Sequence, residues 1–143
     1  MDESAHARRA LETSRTIAVL GIHDDSARPA AYVPEYLAKV GYRVLGANPL
    51  LAGRTLLGHP VAATLAELVE RGEAIDMVDV FRRAEAIPAH LDDLLAAKPK
   101  IVWLQLGIRN DEVARKLEAR GIEVIQDRCT YADHRRFGLP PRR

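Results

Sequence analysis

Five polar clusters hold most of the residues that could do chemistry, and each directly follows a short apolar run. Gly21-Ile22-His23-Asp24-Asp25-Ser26 follows residues 16–20, and Asn48-Pro49 follows 44–47. Phe81-Arg82-Arg83 follows 77–80, Gln105-Leu106-Gly107 follows 101–104, and Gln126-Asp127-Arg128-Cys129 follows 124–125. The first cluster suits an anion: it opens into a helix-like stretch, whose N-terminal amides and dipole attract phosphate. Ser26 can donate a hydrogen bond there and Arg28 can supply charge. The same Asp24, Asp25 and Ser26 equally suit a plain helix cap. Arg82 is a natural phosphate ligand through its planar fork of donors, whereas Arg83 reads as a solvated helix start. Arg54 is a second candidate for a terminal phosphate. Gln105 beside Gly107 offers a flat place for an amide-bearing ligand arm. Cys129 reads either as a thiol at the site or as a small buried hydrophobe.

Catalytic constellations are poor. His6, His23, His59, His90 and His134 lack metal-ligand spacing. The three serines lie in no nucleophile elbow, and Cys129 has no base partner nearer than His134. A dinucleotide fold would carry Gly-x-Gly-x-x-Gly after its first strand and an acid about 20 residues on. Here the first loop has one glycine and the second run ends in Ala47-Asn48-Pro49. NAD is therefore not expected. The phosphate-cradling Gly-Lys-Ser/Thr loop is absent too.

The elements that must position these clusters alternate. Apolar runs read as strands over 16–21, 43–48, 75–81, 100–106 and 122–126. Helical periodicity covers 3–14, 30–40, 64–72, 84–97 and 110–121, with a final turn or short helix over 130–137. Thr64 with Glu67 has the spacing of a capping box, Asn110 is an N-cap, and Gly41 is a left-handed helix stop. Residues 50–60, punctuated by Ala52-Gly53 and Gly58, read as a small excursion or hairpin. Trp103 reads as sheet core. Strands alternating with helices predict an α/β fold: a Rossmann-like, doubly wound sheet of about five parallel strands in three αβα layers. Such sheets bind ligands at the carboxyl ends of their strands, where all five clusters fall.

Composition sets the frame. At 143 residues the chain reads as one domain, 1–143, long enough for a real core. The net charge of +1 gives no electrostatic footprint for nucleic acid. Arg135-Arg136 and Arg142-Arg143 read as a solvated tail. No apolar stretch approaches the roughly 20 residues that a membrane helix needs. No signal-like segment opens the chain, and its single cysteine fits a reducing compartment. A cytoplasmic location follows as the expectation.

Taken together, Val78-Asp79-Val80-Phe81-Arg82-Arg83, Trp103-Leu104-Gln105-Leu106-Gly107, Asp127-Arg128-Cys129, Asn48-Pro49 and the segment from Ala52 to Gly58 closely resemble the small stand-alone CoA-binding domain proteins of bacteria and archaea. The resemblance runs from about residue 15 to 138. That family looks like the N-terminal CoA-binding domain of the succinyl-CoA synthetase α subunit, without the catalytic histidine domain. It implies that His23, Asp24, Asp25 and Ser26 hug the pyrophosphate of coenzyme A, and that Asn48, Pro49 and the excursion border the nucleotide. Phe81 and Arg82 would line the adenosine, Leu104, Gln105 and Leu106 the pantetheine arm, and Cys129 would lie near the thiol. Two departures stand out. Ile22-His23 replaces a usual Ala-Ser pair, and Leu50-Leu51 replaces a usual basic residue after Asn-Pro, which leaves Arg54 as the substitute contact.

The reading that follows is non-catalytic binding of coenzyme A or an acyl-CoA. Its competitors are an enzyme or sensor using another adenosine ligand such as NADP, with Arg54 or Arg82 on the extra phosphate, and an interaction module with a vestigial crevice. The sequence names no protein partner.

Overall fold

The central strands of the sheet are buried on both faces, so their residues divide between two helical layers by simple alternation. The computed structural model describes residues 2–142; Met1 and Arg143, the end of the basic tail, lie outside them. Five strands, β1 (Thr16–Leu20), β2 (Arg43–Ala47), β5 (Met77–Val80), β6 (Ile101–Leu104) and β7 (Glu123–Ile125), form one parallel sheet in the order β2-β1-β5-β6-β7. Register is continuous: Val19 faces Gly46 on one side and Asp79 on the other, and Asp79 in turn faces Trp103. The fold is the Rossmann-like α/β arrangement that the sequence predicts.

Helices α1 (Glu3–Thr13), α2 (Pro29–Lys39) and α6 (Thr130–Arg136) cover one face. Ala7, Leu11, Val33 and Leu37 pack there on Ile17, Val19, Met77 and Trp103. Helices α3 (Leu65–Glu70), α4 (Leu91–Ala97) and α5 (Asp111–Glu118) cover the other. There Leu65, Leu68, Leu94, Val113 and Leu117 pack on Ala18, Leu45, Val78 and Leu104.

Local chemistry explains the boundaries. The Thr64 hydroxyl accepts from Glu67 N at 3.2 Å, as the capping pattern predicts. The reciprocal bond goes elsewhere: the Glu67 carboxylate accepts from Ala63 N. Asp93, from α4, adds a long-range cap by accepting from Leu65 N and Ala66 N. Asn110 caps α5 through Val113 N at 3.0 Å. The helix expected over 84–97 is broken into a 3-10 segment, Ala84–His90, followed by α4. Pro88 lies in that segment and has no N–H for a helical ladder.

The excursion after β2 is a 3-10 turn (Pro49–Leu51) followed by a hairpin, β3 (Thr55–Leu56) with β4 (His59–Pro60). Its two-residue turn has φ of +53° at Leu57 and +84° at Gly58, the sign pattern that tight hairpins demand. The tail corrects one expectation. Arg142 is docked, not solvated: its guanidinium donates to Leu11 O and Glu12 O and lies over the Tyr42 ring. Among the described residues no helix is long and apolar enough to cross a membrane.

Candidate functional site

The chain leaves β1 for β2 on one side and returns to β5 on the other. The crossovers therefore part between β1 and β5, and a crevice opens at the carboxyl ends of those strands. Gly21 sits at its base with φ +90°, and a Cβ there would stand 2.5 Å from Phe81 O. Only glycine lets the two strand ends come this close. Above them lies a cleft of about 680 Å³. Arg28, Tyr32 and Val33 form one wall, Phe81 through Glu85 the second, and Gln105 through Ile108 with Cys129 the third.

Six of the sequence-selected residues meet in this cleft: Arg28, Phe81, Arg82, Gln105, Leu106 and Cys129. The others lie outside it. His23, Asp24 and Ser26 line a separate hollow of about 110 Å³, shared with Leu56 and Leu57 of the hairpin. Asp25 accepts from Ala27 N at 3.1 Å and pairs loosely with Arg28 at 3.7 Å. None of these residues caps α2, whose N-cap is Arg28 with Pro29 next and no side-chain cap. Asn48 is 3% exposed and bonded inward: its amide donates to Ile22 O at 2.8 Å and accepts from Leu50 N at 3.0 Å. Pro49 opens the 3-10 turn behind it. Arg54 is ion-paired with Asp24, and that hydrogen bond holds the Asp24 carboxyl below its ordinary range. Leu104 is a correction. It is 1% exposed and faces α3, α4 and α5, because alternation along β6 sends it to the side opposite Trp103.

Ile22, one of the two departures, packs into the core against Gly46, where a Cβ would stand 2.7 Å from Ile22 Cγ2. It fills space under the loop and leaves the cleft alone.

The cleft lining carries more cations than anions: Arg28, Arg82 and Arg83 against Glu85. Among the described residues neither Arg82 nor Arg83 forms an ion pair, although Arg54, Arg43 and Arg128 all do. Arg82 Nε is buried and has no hydrogen-bond partner. Burial lowers the His90 pKa, and the positive charge of Arg82 lowers it further. Arg128 is turned away from Cys129: it donates to both oxygens of Asp133, at 2.6 and 3.0 Å, and that bond raises its own pKa. Cys129 is the N-cap of α6 but makes no side-chain cap bond.

Sequence reasoning missed a buried network behind Gln105. Asp79 is completely buried in the middle of the sheet, on the α1/α2/α6 face. Gln105 Nε2 donates to its Oδ1 at 2.6 Å, and the Thr130 hydroxyl donates to its Oδ2 at 3.0 Å. Gln105 Nε2 also donates to Thr130 Oγ1 at 2.8 Å, closing the triangle. Burial pushes the Asp79 pKa up to about 7, against the opposing pull of the two hydrogen bonds. A signal was there to read: Asp79 is a lone carboxylate inside an apolar strand, and such residues are almost never fully buried unless paired. Among the described residues no group of three or more His, Cys, Asp or Glu could hold a metal ion.

This arrangement can hold an elongated anion. Guanidinium groups stand at one wall, an amide and exposed backbone at another, and a thiol beyond them. Comparison with known proteins places the chain among relatives. An uncharacterised Bacillus subtilis protein, YneT, is 31% identical over 130 residues, which is 91% of this chain and 93% of that one. A solved Thermus thermophilus structure, cell-free ID.343, is 44% identical with a TM-score of 0.87, covering 95% of this chain and 98% of its own. A dinucleotide-forming acetyl-coenzyme A synthetase of Candidatus Korarchaeum cryptofilum shares the fold, at 18% identity and a TM-score of 0.65. That match covers 76% of this chain and 25% of the synthetase. Residues 15–135 match the family described as the CoA binding domain, so the chain belongs to that family.

Proposed function

We propose that the protein binds coenzyme A or an acyl-CoA in the 680 Å³ cleft and performs no chemistry on it by itself. The observation that carries this reading is Arg82: half-buried at the strand crossover, with an unpartnered Nε and, among the described residues, no ion pair. A buried N–H donor left without a partner is costly, and a phosphate in the cleft would satisfy it. The residues present fit the ligand. Arg28 and Arg82 take the phosphates, and Phe81 and Tyr32 give apolar surface to the adenosine. Gln105, Leu106 and Gly107 run beside the pantetheine arm, and Cys129 lies toward the thiol. Arg54 joins only by exchanging Asp24 for a phosphate. As in the synthetase α subunit that the sequence resembles, the domain would present the cofactor; a group that transforms it would come from elsewhere.

The test is a ligand panel on the purified protein. Coenzyme A or acetyl-CoA should raise the melting temperature strongly, and NAD or NADP at equal concentration should do little. Equal shifts from coenzyme A and the dinucleotides, or a shift only with the latter, would overturn the reading. Intact-mass analysis under native conditions identifies any ligand that co-purifies.

A further inference from the structure

Gln105 lines the cleft, yet the residue is only 4% exposed and its amide nitrogen is spent inward. Both Nε2 protons are used, one on Asp79 Oδ1 and one on Thr130 Oγ1. Among the described residues the side-chain oxygen, Oε1, has no partner, and it is not among the buried unsatisfied atoms. The reverse orientation of the amide would set Oε1 at 2.6 Å from a carboxylate oxygen, where ionised Asp79 offers only lone pairs. Thr130 cannot rescue that orientation, because its single hydroxyl proton is already given to Asp79 Oδ2. Above about pH 7, where Asp79 is ionised, the carboxylate therefore dictates which end of the amide meets the ligand.

We infer that Asp79, through Thr130 and Gln105, is a positioning residue that turns the Gln105 carbonyl oxygen toward the cleft and so selects a ligand arm offering an amide N–H. This deepens the coenzyme A reading and rests on it, since pantetheine carries two such N–H groups and the adenosine bisphosphate end carries none. Burying a carboxylate in the middle of a sheet destabilises the fold unless something compensates, and a locked acceptor at the cleft wall gives it a purpose. Asp79 itself, fully enclosed between β1 and β6, never meets the ligand.

The test compares coenzyme A with adenosine 3′,5′-bisphosphate, which lacks the pantetheine arm, by calorimetry on the full chain. Gln105→Leu should weaken coenzyme A about tenfold, the loss of one well-made buried hydrogen bond, and leave the bisphosphate unchanged. Asp79→Leu should do the same, whereas Asp79→Asn, which keeps an acceptor for Gln105, should retain nearly wild-type affinity. In the Gln105→Leu background Asp79→Leu should cost nothing more, because the two residues act through one contact. Should Asp79→Leu not fold, Thr130→Val carries the comparison, with a smaller loss of the same selectivity. The side-chain amide protons of Gln105 should also exchange slowly in the free wild-type protein and quickly in Thr130→Val. Equal loss for both ligands in the Asp79 or Thr130 variants, an undiminished effect in the Gln105→Leu background, or fast-exchanging amide protons in the wild type would overturn the inference. Wild-type protein that binds neither ligand would overturn the coenzyme A reading beneath it.

Discussion

The two halves of the sheet's upper rim are built from similar residues and differ in how those residues are satisfied. On the hairpin side three prominent polar groups already have partners. Asn48 ties Ile22 O to Leu50 N, Arg54 pairs with Asp24, and His23 Nδ1 accepts from Asp25 N at 2.9 Å. On the cleft side, among the described residues, Arg82 has no ion pair and its Nε no hydrogen-bond partner, and Gln105 Oε1 has no partner. A polar side chain whose bonds are complete holds the protein together; one left incomplete beside an open cleft can still take a ligand. By that criterion the hairpin side reads as scaffold and the cleft side as the candidate site.

The largest effect that would break this contrast lies at the base of the cleft. Gly21→Ala must place a Cβ against Phe81 O in a backbone region that disfavours any side chain. It should destabilise the protein by roughly 3 kcal/mol or more, read by urea denaturation. A near-neutral result would mean that the strand ends are not held together as described. Next in size, coenzyme A at a hundred times its dissociation constant should add about 2.7 kcal/mol of stability. Arg82→Ala should then weaken coenzyme A roughly tenfold and flatten its salt dependence, because a charge-assisted contact is lost. Arg83→Ala, at an exposed position, should change little. Arg54→Ala sharpens the comparison: a guanidinium that must first leave Asp24 gains little from a phosphate, so a loss of no more than about threefold is expected. Equal losses at Arg54 and Arg82 would join the two halves into one site.

A subtler prediction concerns acid. Asp79 has a folded pKa of about 7, above its ordinary value of 3.8. Between those values the folded state holds a proton that the unfolded chain has released. The contribution of Asp79 to stability is therefore full below about pH 4 and is lost as pH rises toward 7. Relative to Asp79→Asn, the wild-type melting temperature should fall across that window and run parallel above it. A difference that stays constant with pH would mean that Asp79 keeps one protonation state throughout.

The layers, the parallel order and the place of the clusters were legible because they follow from alternation and from where apolar runs stop. Val78, Val80 and Leu104 face one way and Met77, Asp79 and Trp103 the other as a matter of period two. That rule would also have removed Leu104 from the ligand's path had it been applied residue by residue. Pairing was illegible. That Arg54 meets Asp24, 30 positions away, or that Arg128 prefers Asp133 to the vicinity of Cys129, depends on how loops fold back, and local pattern carries no trace of it. The division of the site into a cleft and a lesser hollow has the same origin. The first loop runs between them, and sequence order cannot say on which flank each of its side chains falls.

Trp103 lies wholly inside the sheet, and its indole N–H donates to Arg128 O at 2.7 Å, the carbonyl just before Cys129. It is also the chain's single tryptophan. Its emission therefore belongs to one known environment and is tethered to the loop that closes one end of the cleft. The protein carries its own fluorophore: a ligand that shifts the 128–129 segment must alter the indole hydrogen bond and with it the colour or yield of the light. Titrations can thus be followed optically, with no dye and no label.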